Sequence, residues 1–530
     1  MLHKKSTWAW GWQDKFPDEA SRAGLAQLAR VLLPSASPVL RALPSEVVVV
    51  PAPRAAIPDA LAAFATDDPE ARALRTRGRA FLDLAAGFAG DFRGAPDVVA
   101  MPRSNAEVLA VLETCAARGW ACVPFGGGTS VVGGVDATLA RGGGDRVVVS
   151  LDLSALAGVR ELDETSRLAR IGAGTFGPAL EDELGARGYT LRHFPQSFEF
   201  STLGGWLATR AGGHYATGPT HIDDHCHALT MITPRGTIAT HGHPASGAGP
   251  EPLRLILGSE GALGVIAEAT MRVVPAPSHR ASASVAFGGF EAGVACARAL
   301  AQSGLQPANA RLLDPDEARM HRVRFDGSAV LLVAFESADH PVDASLARAL
   351  ELARDHGGDV TIGRSSSNAQ SWRQAFFDAP YLQSALLSVG VLSDTFETAC
   401  TWTQFPALHA RVTAAVRTAL AAECGGGLVA CRFTHVYPDG PAPYYTFVGA
   451  ARDGDVSAQL AQWRAIKTAA TDALASARGT ITHHHGIGRM HVPWYRAEVS
   501  PLFGEALAAV KRTLDPHNTC NPGTVSTKTT

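Results

Sequence analysis

"VPFGGGTSVVGG", Val123 to Gly134, sets five glycines in twelve residues directly behind the apolar segment "ACVPF", Ala121 to Phe125. Closely spaced glycines let a backbone approach a phosphate or a flat ring where a Cβ would collide. Two common phosphate binders are excluded by the spacing. Gly128 and Gly133 stand at the right interval for a P-loop, but Gly134 and Val135 occupy the places of its lysine and hydroxyl. A Rossmann fingerprint starting at Gly126 needs a third glycine at 131, where Val131 stands, and no amphipathic helix follows. What remains is a run of backbone N–H groups, with the Thr129 and Ser130 hydroxyls, that can form an anion-binding nest without a helix dipole. A pyrophosphate fits such a nest; a plain flexible turn is the alternative.

Outward from the loop, Ser104 and Glu107 form a capping box that opens a helix with Val108, Leu109, Val111 and Leu112 on its apolar face, ending at Gly119. Downstream, strands are expected at 146–153, 159–163 and 167–174, a helix from Pro178 to near Gly188, a hairpin over 228–240 and a strand over 265–275. From about 280 to 480 strands such as "AVLLVAFES" alternate with Ala-rich helices at 291–303, 342–356, 406–422 and 456–477. The pattern predicts an α+β protein: a helical and irregular segment over 1–94, a first domain over 95–276, a second over 277–479, and a segment over 480–530 returning to the first. "SEVVVVPAPRAAIP", 45–58, reads as a strand or extended segment broken by prolines.

A chain of 530 residues exceeds the roughly 250–300 that one core serves, in agreement with two domains. Its net charge of −3 gives no reason to expect nucleic acid or an anionic membrane as partner, which favours small-molecule chemistry. Eight cysteines occur without a C-x-x-C, against a zinc ribbon or a dithiol centre. No secretory signal and no run of about 18 apolar residues is present. A cytoplasmic protein with reduced thiols is expected, peripheral membrane contact staying open. Residues 526–530 read as a frayed polar tail.

Two further glycine-rich stretches share the style of the first: "HFPQSFEFSTLGGWLATRAGGH" (193–214) and "LGSEGALGVIAEAT" (257–270). With "HHHGIG" (483–488) and "DPHNTCNPG" (515–523), these stretches resemble the vanillyl-alcohol-oxidase type of FAD-binding enzymes, and within them the alkyldihydroxyacetonephosphate synthases of ether-lipid synthesis. The resemblance runs from "WAWGW" near the start to about residue 523. It implies a two-subdomain FAD-binding domain over 95–276 and an α+β cap bearing the substrate site over 277–479. Gly126, Gly127, Gly128, Thr129 and Ser130 would hold the FAD pyrophosphate, with Pro124 beside them in the cofactor site. Pro195, Ser197, Ser201, Thr202 and Thr209 would line the flavin, and Glu260, Gly261, Gly264 and Ile266 would meet the adenine half. Some relatives attach flavin to a histidine in this loop; none lies between Gly119 and Gly134, so FAD is expected to be non-covalent. A homodimer is suggested by analogy.

Extended backbone would place His483 and His485 on one face and His484 on the other, so the three do not easily meet one metal. Structural and zinc-binding roles are open on the residues alone, and no metal is expected. The same alternation lets only one of Tyr444 and Tyr445 face a site. The resemblance assigns that place to Tyr444 as base and makes His483, His484, His485 and Arg311 its catalytic partners. A phenol of ordinary pKa near 10 needs a cation or hydrogen bonds to act so, and Arg311 and the histidines are the candidates. Glu397 in "FETACTW" is read as structural. "HIDDHCHAL" (221–229) looks metal-like through Asp223, Asp224, His225 and His227, and departs from the plainer Ile-Glu-Asp stretch usual in the family.

The implied reaction replaces the acyl chain of acyl-dihydroxyacetone phosphate with a long-chain alcohol, without net oxidation, through an adduct at flavin N5. An FAD-dependent 2-hydroxyacid dehydrogenase of D-lactate or glycolate type is the competing reading. Those enzymes usually carry Gly-Glu-His-Gly-Ile-Gly where this chain has "HHHGIG". A non-catalytic flavin or lipid carrier is a third, disfavoured by the full set of reactive side chains.

Overall fold

The computed structural model describes residues 4–33, 38–360, 379–452 and 456–525. The polar tail expected at 526–530 lies outside them. The helix opened by Ser104 spans Asn105–Arg118: the Ser104 hydroxyl accepts from the Glu107 N–H, and Gly119 ends it in the left-handed region at φ +68°. Strand β3 (Ala121–Phe125) follows and delivers the glycine loop. It runs parallel to β4 (Val148–Asp152), which pairs with β2 (Val98–Ala100), and β1 (Ala65–Thr66) closes this four-stranded sheet. Every residue of β4 is buried, with Val149 and Leu151 in one core and Val148 in another.

A second sheet has the order β5 (Val159–Asp163), β6 (Leu168–Gly172), β10 (Val265–Arg272), β8 (Cys226–Thr233), β9 (Gly236–Ala239). Helices Gly177–Gly185, Leu203–Thr209 and Pro252–Ile256 pack on it around Ile171, Leu180, Trp206, Ile222 and Met271. A short pair, β7 (Tyr189–Thr190) with β11 (Val274–Pro275), marks the exit toward the next sheet. The segment 47–50 expected as strand or extended backbone forms no ladder: Val47 and Val49 are exposed, and the prolines that follow withhold the N–H groups pairing needs.

The third sheet is antiparallel throughout, with order β12 (His279–Phe287), β14 (Ala329–Ser337), β13 (Asn309–Leu313), β16 (Gly427–Val436), β17 (Pro441–Ala450), β15 (Val391–Glu397). Helices Phe290–Gln302, Asp343–Asp355, Phe405–Cys424 and Val456–Ser476 cover one face. Period-two alternation sorts the side chains. Leu312, Phe396, Cys431, Phe433, Tyr445 and Phe447 join the cores under the helices, whereas Arg311, Thr395, Arg432, Thr434, Tyr444 and Thr446 face a cavity on the other side. That polar face meets the glycine loop.

Two terminal segments tie these parts together. Near the start, the Trp12 indole N–H donates to Glu199 at 2.7 Å beside the flavin-type loop, and the Trp10 N–H donates to the Ser384 hydroxyl at 3.1 Å beneath the third sheet. Helix Glu19–Leu32 packs Ala26 and Ala29 against Val389, Val391 and Val448, so the first segment spans both domains rather than standing apart. At the other end, the buried Lys511 ammonium holds the carbonyls of Ala262 and Cys520 and the Asp515 carboxylate. The last segment thus packs against Ala262, in the loop before β10, and against Cys122 of β3.

Candidate active site

The glycine loop lies against Phe200 to Thr202. A Cβ on Gly127 would stand 1.6 Å from the Phe200 carbonyl oxygen, and Gly128 has φ +74°, so both positions exclude larger residues. Among the described residues, no protein acceptor takes the backbone N–H groups of Gly127, Gly128, Thr129 and Ser130. Successive N–H groups left for a ligand are what a pyrophosphate nest requires, so the residues present fit FAD. Gly126, Gly127, Gly128, Thr129 and Ser130 line one cavity with Pro195, Ser197, Ser201, Thr202 and Thr209. Pro124 stands behind the loop, against Gly261.

A third set of residues is expected to meet the adenine half. Glu260, Gly261, Gly264 and Ile266 do not line this cavity; Ile266 packs in the core of the second sheet. The Glu260 carboxylate accepts from the N–H groups of Ile487 and Gly488, at 2.6 and 2.9 Å, and fixes the loop after the histidines. Burial, only partly offset by those N–H groups, raises its pKa to about 7.

Tyr444 faces the cavity and Tyr445 packs under the helices, stacked on Phe396 at 4.9 Å. Strand alternation separates the two tyrosines, and the one that the resemblance singles out lies on the cavity side. Its hydroxyl donates to Thr395 Oγ1 at 2.9 Å. The cation that attends it is Arg432, not Arg311 as the sequence suggested: the Arg432 guanidinium lies 4.0 Å from the Tyr444 ring centroid, and the two residues are direct partners across β16 and β17. Burial raises the Tyr444 pKa and Arg432 opposes that rise. Arg432 is held in turn by buried Glu317; burial alone would raise that carboxyl's pKa, but Arg432 and His321 bring it down to about 2. Arg311 sits in the same cavity wall, donating to the His214 carbonyl; burial and then Arg432 push its pKa down to about 9, still cationic at neutral pH.

The three histidines do not alternate as extended backbone would. The chain bends so that the N–H groups of His483, His484 and His485 converge on the Glu397 carboxylate at 2.6–3.1 Å, with the Thr482 hydroxyl at 2.6 Å. Burial would raise the Glu397 pKa, yet the histidines around it and Thr482 hold it well below the ordinary carboxylate range. Glu397 is thus structural, as read from the sequence, and it orients the site. His484 and His485 line the cavity with Tyr444, at ring separations of 5.9 and 5.5 Å. His483 turns the other way, into a second cavity of about 820 Å³. Burial favours the neutral rings, bringing His484 down to about 3 and His485 to about 4.

Sequence reading did not assign Arg432, Thr395, His435 or His221 to the site. Arg432 shares strand parity with Thr434, but its pairing with Tyr444 depends on strand register, and nothing local marks His435. The metal-like stretch is otherwise engaged: Asp223 pairs with Arg210 at 2.6 Å and Arg254 at 3.4 Å, and His227 faces Arg272. Among the described residues, nitrogens of His435, His483 and His484 do lie within 4.8 Å of one another, a cluster the sequence did not foresee. No helix among the described residues is long and apolar enough to cross a membrane.

Known proteins share these features. The FAD binding domain family matches residues 96–242, and the family of FAD linked oxidases, C-terminal domain, matches 276–525. An alkyldihydroxyacetonephosphate synthase of Caenorhabditis elegans is 31% identical over 477 residues, covering 84% of this chain and 79% of that protein. A solved alkyldihydroxyacetonephosphate synthase superposes with a TM-score of 0.81 at 25% identity, covering 98% of each chain. Substrate-bound p-cresol methylhydroxylase, at TM-score 0.65 and 14% identity over 87% of this chain and 94% of its own, shares the fold. The vanillyl-alcohol-oxidase type fold, the matched FAD binding domain and this degree of identity converge: the chain is an FAD-dependent enzyme belonging to the alkyldihydroxyacetonephosphate synthase family.

Proposed function

We propose that the enzyme exchanges the fatty acyl chain of acyl-dihydroxyacetone phosphate for a long-chain alcohol, giving an ether without net oxidation. The observation that carries this reading is Tyr444, set in the flavin-side cavity between the Arg432 guanidinium and the His484 and His485 rings. FAD, when bound, supplies an electron-poor ring that accepts electron density from a carbon beside a ketone. Tyr444 takes the proton from that carbon, and Arg432 favours the phenolate needed to do so. Arg311, a buried cation in the same wall, holds anionic charge on the substrate or the flavin. His484 and His485 move protons at their ring nitrogens as carboxylate leaves and alcohol enters. Gly126 to Ser130 would hold the FAD pyrophosphate, and Pro195, Ser197, Ser201, Thr202 and Thr209 would bind the flavin.

The test combines purified FAD-loaded protein with palmitoyl-dihydroxyacetone phosphate and labelled hexadecanol. Labelled alkyl ether is the expected product. A yellow protein that forms no ether but reduces a dye with D-lactate or glycolate would transfer the assignment to a 2-hydroxyacid dehydrogenase.

A further inference from the structure

Between the two cavities stand three histidine rings in hydrogen-bonded series. His484 lines the flavin-side cavity, while His483 and His221 line the second, whose rim carries the exposed side chains of Arg254, Leu255 and Phe503. His484 Nδ1 is 3.0 Å from His483 Nδ1, and His483 Nε2 is 3.1 Å from His221 Nε2. At the far end His221 Nδ1 is 2.9 Å from the Arg210 carbonyl oxygen.

That last contact fixes the protons of the whole series. A carbonyl only accepts, so His221 Nδ1 carries hydrogen, and burial keeps the ring neutral, leaving Nε2 bare. His483 must then donate from Nε2, which leaves its Nδ1 as acceptor, and His484 must donate from Nδ1. Glu397, with a carboxylate oxygen 3.6 Å from His484 Nδ1, favours a proton there. The outcome is a bare His484 Nε2 in the cavity that holds Tyr444. Tyr437 fits the same assignment: its oxygen lies 2.8 Å from His483 Nε2, and its hydroxyl donates to Thr220 at 3.0 Å. A cation would compete poorly here, since His435 turns its ring nitrogens to Thr434 and the Gly213 carbonyl, and His483 presents opposite nitrogens to its two neighbours.

We propose that His484, His483 and His221 form a proton wire between the reaction cavity and the second cavity, with His221 as its outer terminus. The role rests on the exchange reaction proposed above. A proton received at His484 Nε2 releases the Nδ1 proton to His483 Nδ1, and the His483 Nε2 proton passes to His221 Nε2. His221 is then an imidazolium beside Asp223 and Asp224, which favour its charge, and it loses the Nε2 proton to water in the second cavity. His484 then carries hydrogen at Nε2 and His483 at Nδ1, and the facing Nε2 atoms of His483 and His221 are both bare. On the return, His221 Nε2 takes a proton from water in the second cavity and passes it to His483 Nε2, the His483 Nδ1 proton passes to His484 Nδ1, and the His484 Nε2 proton goes back to the substrate carbon, which resets the wire in each turnover. The step needs no oxidant or reductant.

Two measurements test the wire. Acyl-dihydroxyacetone phosphate mixed with FAD-loaded protein in weakly buffered solution with a pH indicator should release about one proton per active site in stopped flow. With FAD content unchanged, His221→Gln should lower kcat about tenfold and slow that release at least as much. Added imidazole should restore part of both in His221→Ala. Wild-type proton release in both variants overturns the wire. If the parent protein forms no ether, the function assignment fails, and the wire is judged by ¹⁵N NMR of histidine-labelled, FAD-loaded protein. Hydrogen on His221 Nδ1, His483 Nε2 and His484 Nδ1 supports it; hydrogen on His483 Nδ1 overturns it.

Discussion

Arg432 and Tyr444 face each other across neighbouring strands, with the guanidinium carbon 4.0 Å from the phenol centroid and Glu317 holding the guanidinium from behind. Burial raises the phenol's pKa and Arg432 counters it, so the rate of exchange should climb as pH rises toward the phenol's pKa. Tyr444→Phe should lower kcat by about 10²–10⁴ while retaining FAD. Arg432→Lys should move the alkaline limb to higher pH. A pH–rate profile of the two variants checks both, and an unshifted limb in Arg432→Lys would assign the titration to another group.

The Glu317 carboxyl titrates at about 2 in the fold against an ordinary 4.5. A depressed folded pKa means that its contribution to stability is complete above pH about 4.5 and is lost as pH falls from there toward 2. Acid denaturation followed by circular dichroism should therefore show a drop in that window. Glu317→Gln should weaken it, and Arg432→Met, which strands a buried carboxylate, should cost about 3–5 kcal/mol at neutral pH.

Glu397 gathers three consecutive N–H groups and one hydroxyl. Glu397→Gln puts an NH₂ where one acceptor stood, so the bend over 483–485 should open. A loss of about 2 kcal/mol or more in chemical denaturation is expected, together with loss of exchange turnover. Unchanged ring contacts and turnover in the variant would sink this account.

Gly127 leaves no room for a side chain against the Phe200 carbonyl. Gly127→Ala should displace the loop and lower the ratio of flavin to protein absorbance after purification. In the parent protein the flavin should separate on acid precipitation, because the glycine loop has no histidine to bond it. Yellow colour remaining on the pellet would contradict non-covalent FAD.

Legibility followed the range of the interactions. Alternation separates Tyr444 from Tyr445 without saying which faces the site, and the helix from Ser104 to Gly119 and the strand entering the glycine loop depend on near neighbours and regular periodicity alone. The histidine bend does not, because its geometry is imposed by Glu397, 86 residues from His483 in the chain. Arg432 was hidden for a related reason: its partner was defined by strand register, which the sequence does not display. His221 belongs to a loop whose departure from the family pattern was visible, while its contact with His483 spans 262 residues.

Trp10, which lines the cavity, and Trp12 tie one short segment to Ser384 on one side, next to the cavity-lining Gln383, and to Glu199 on the other, between the cavity-lining Ser197 and Ser201. Such a staple makes the site preassembled. A hinge between the halves would have to break it, so ligands should reach the flavin by local rearrangement of cavity-edge loops, and removal of the first eighteen residues should yield an enzyme that closes its site only when ligand draws the halves together.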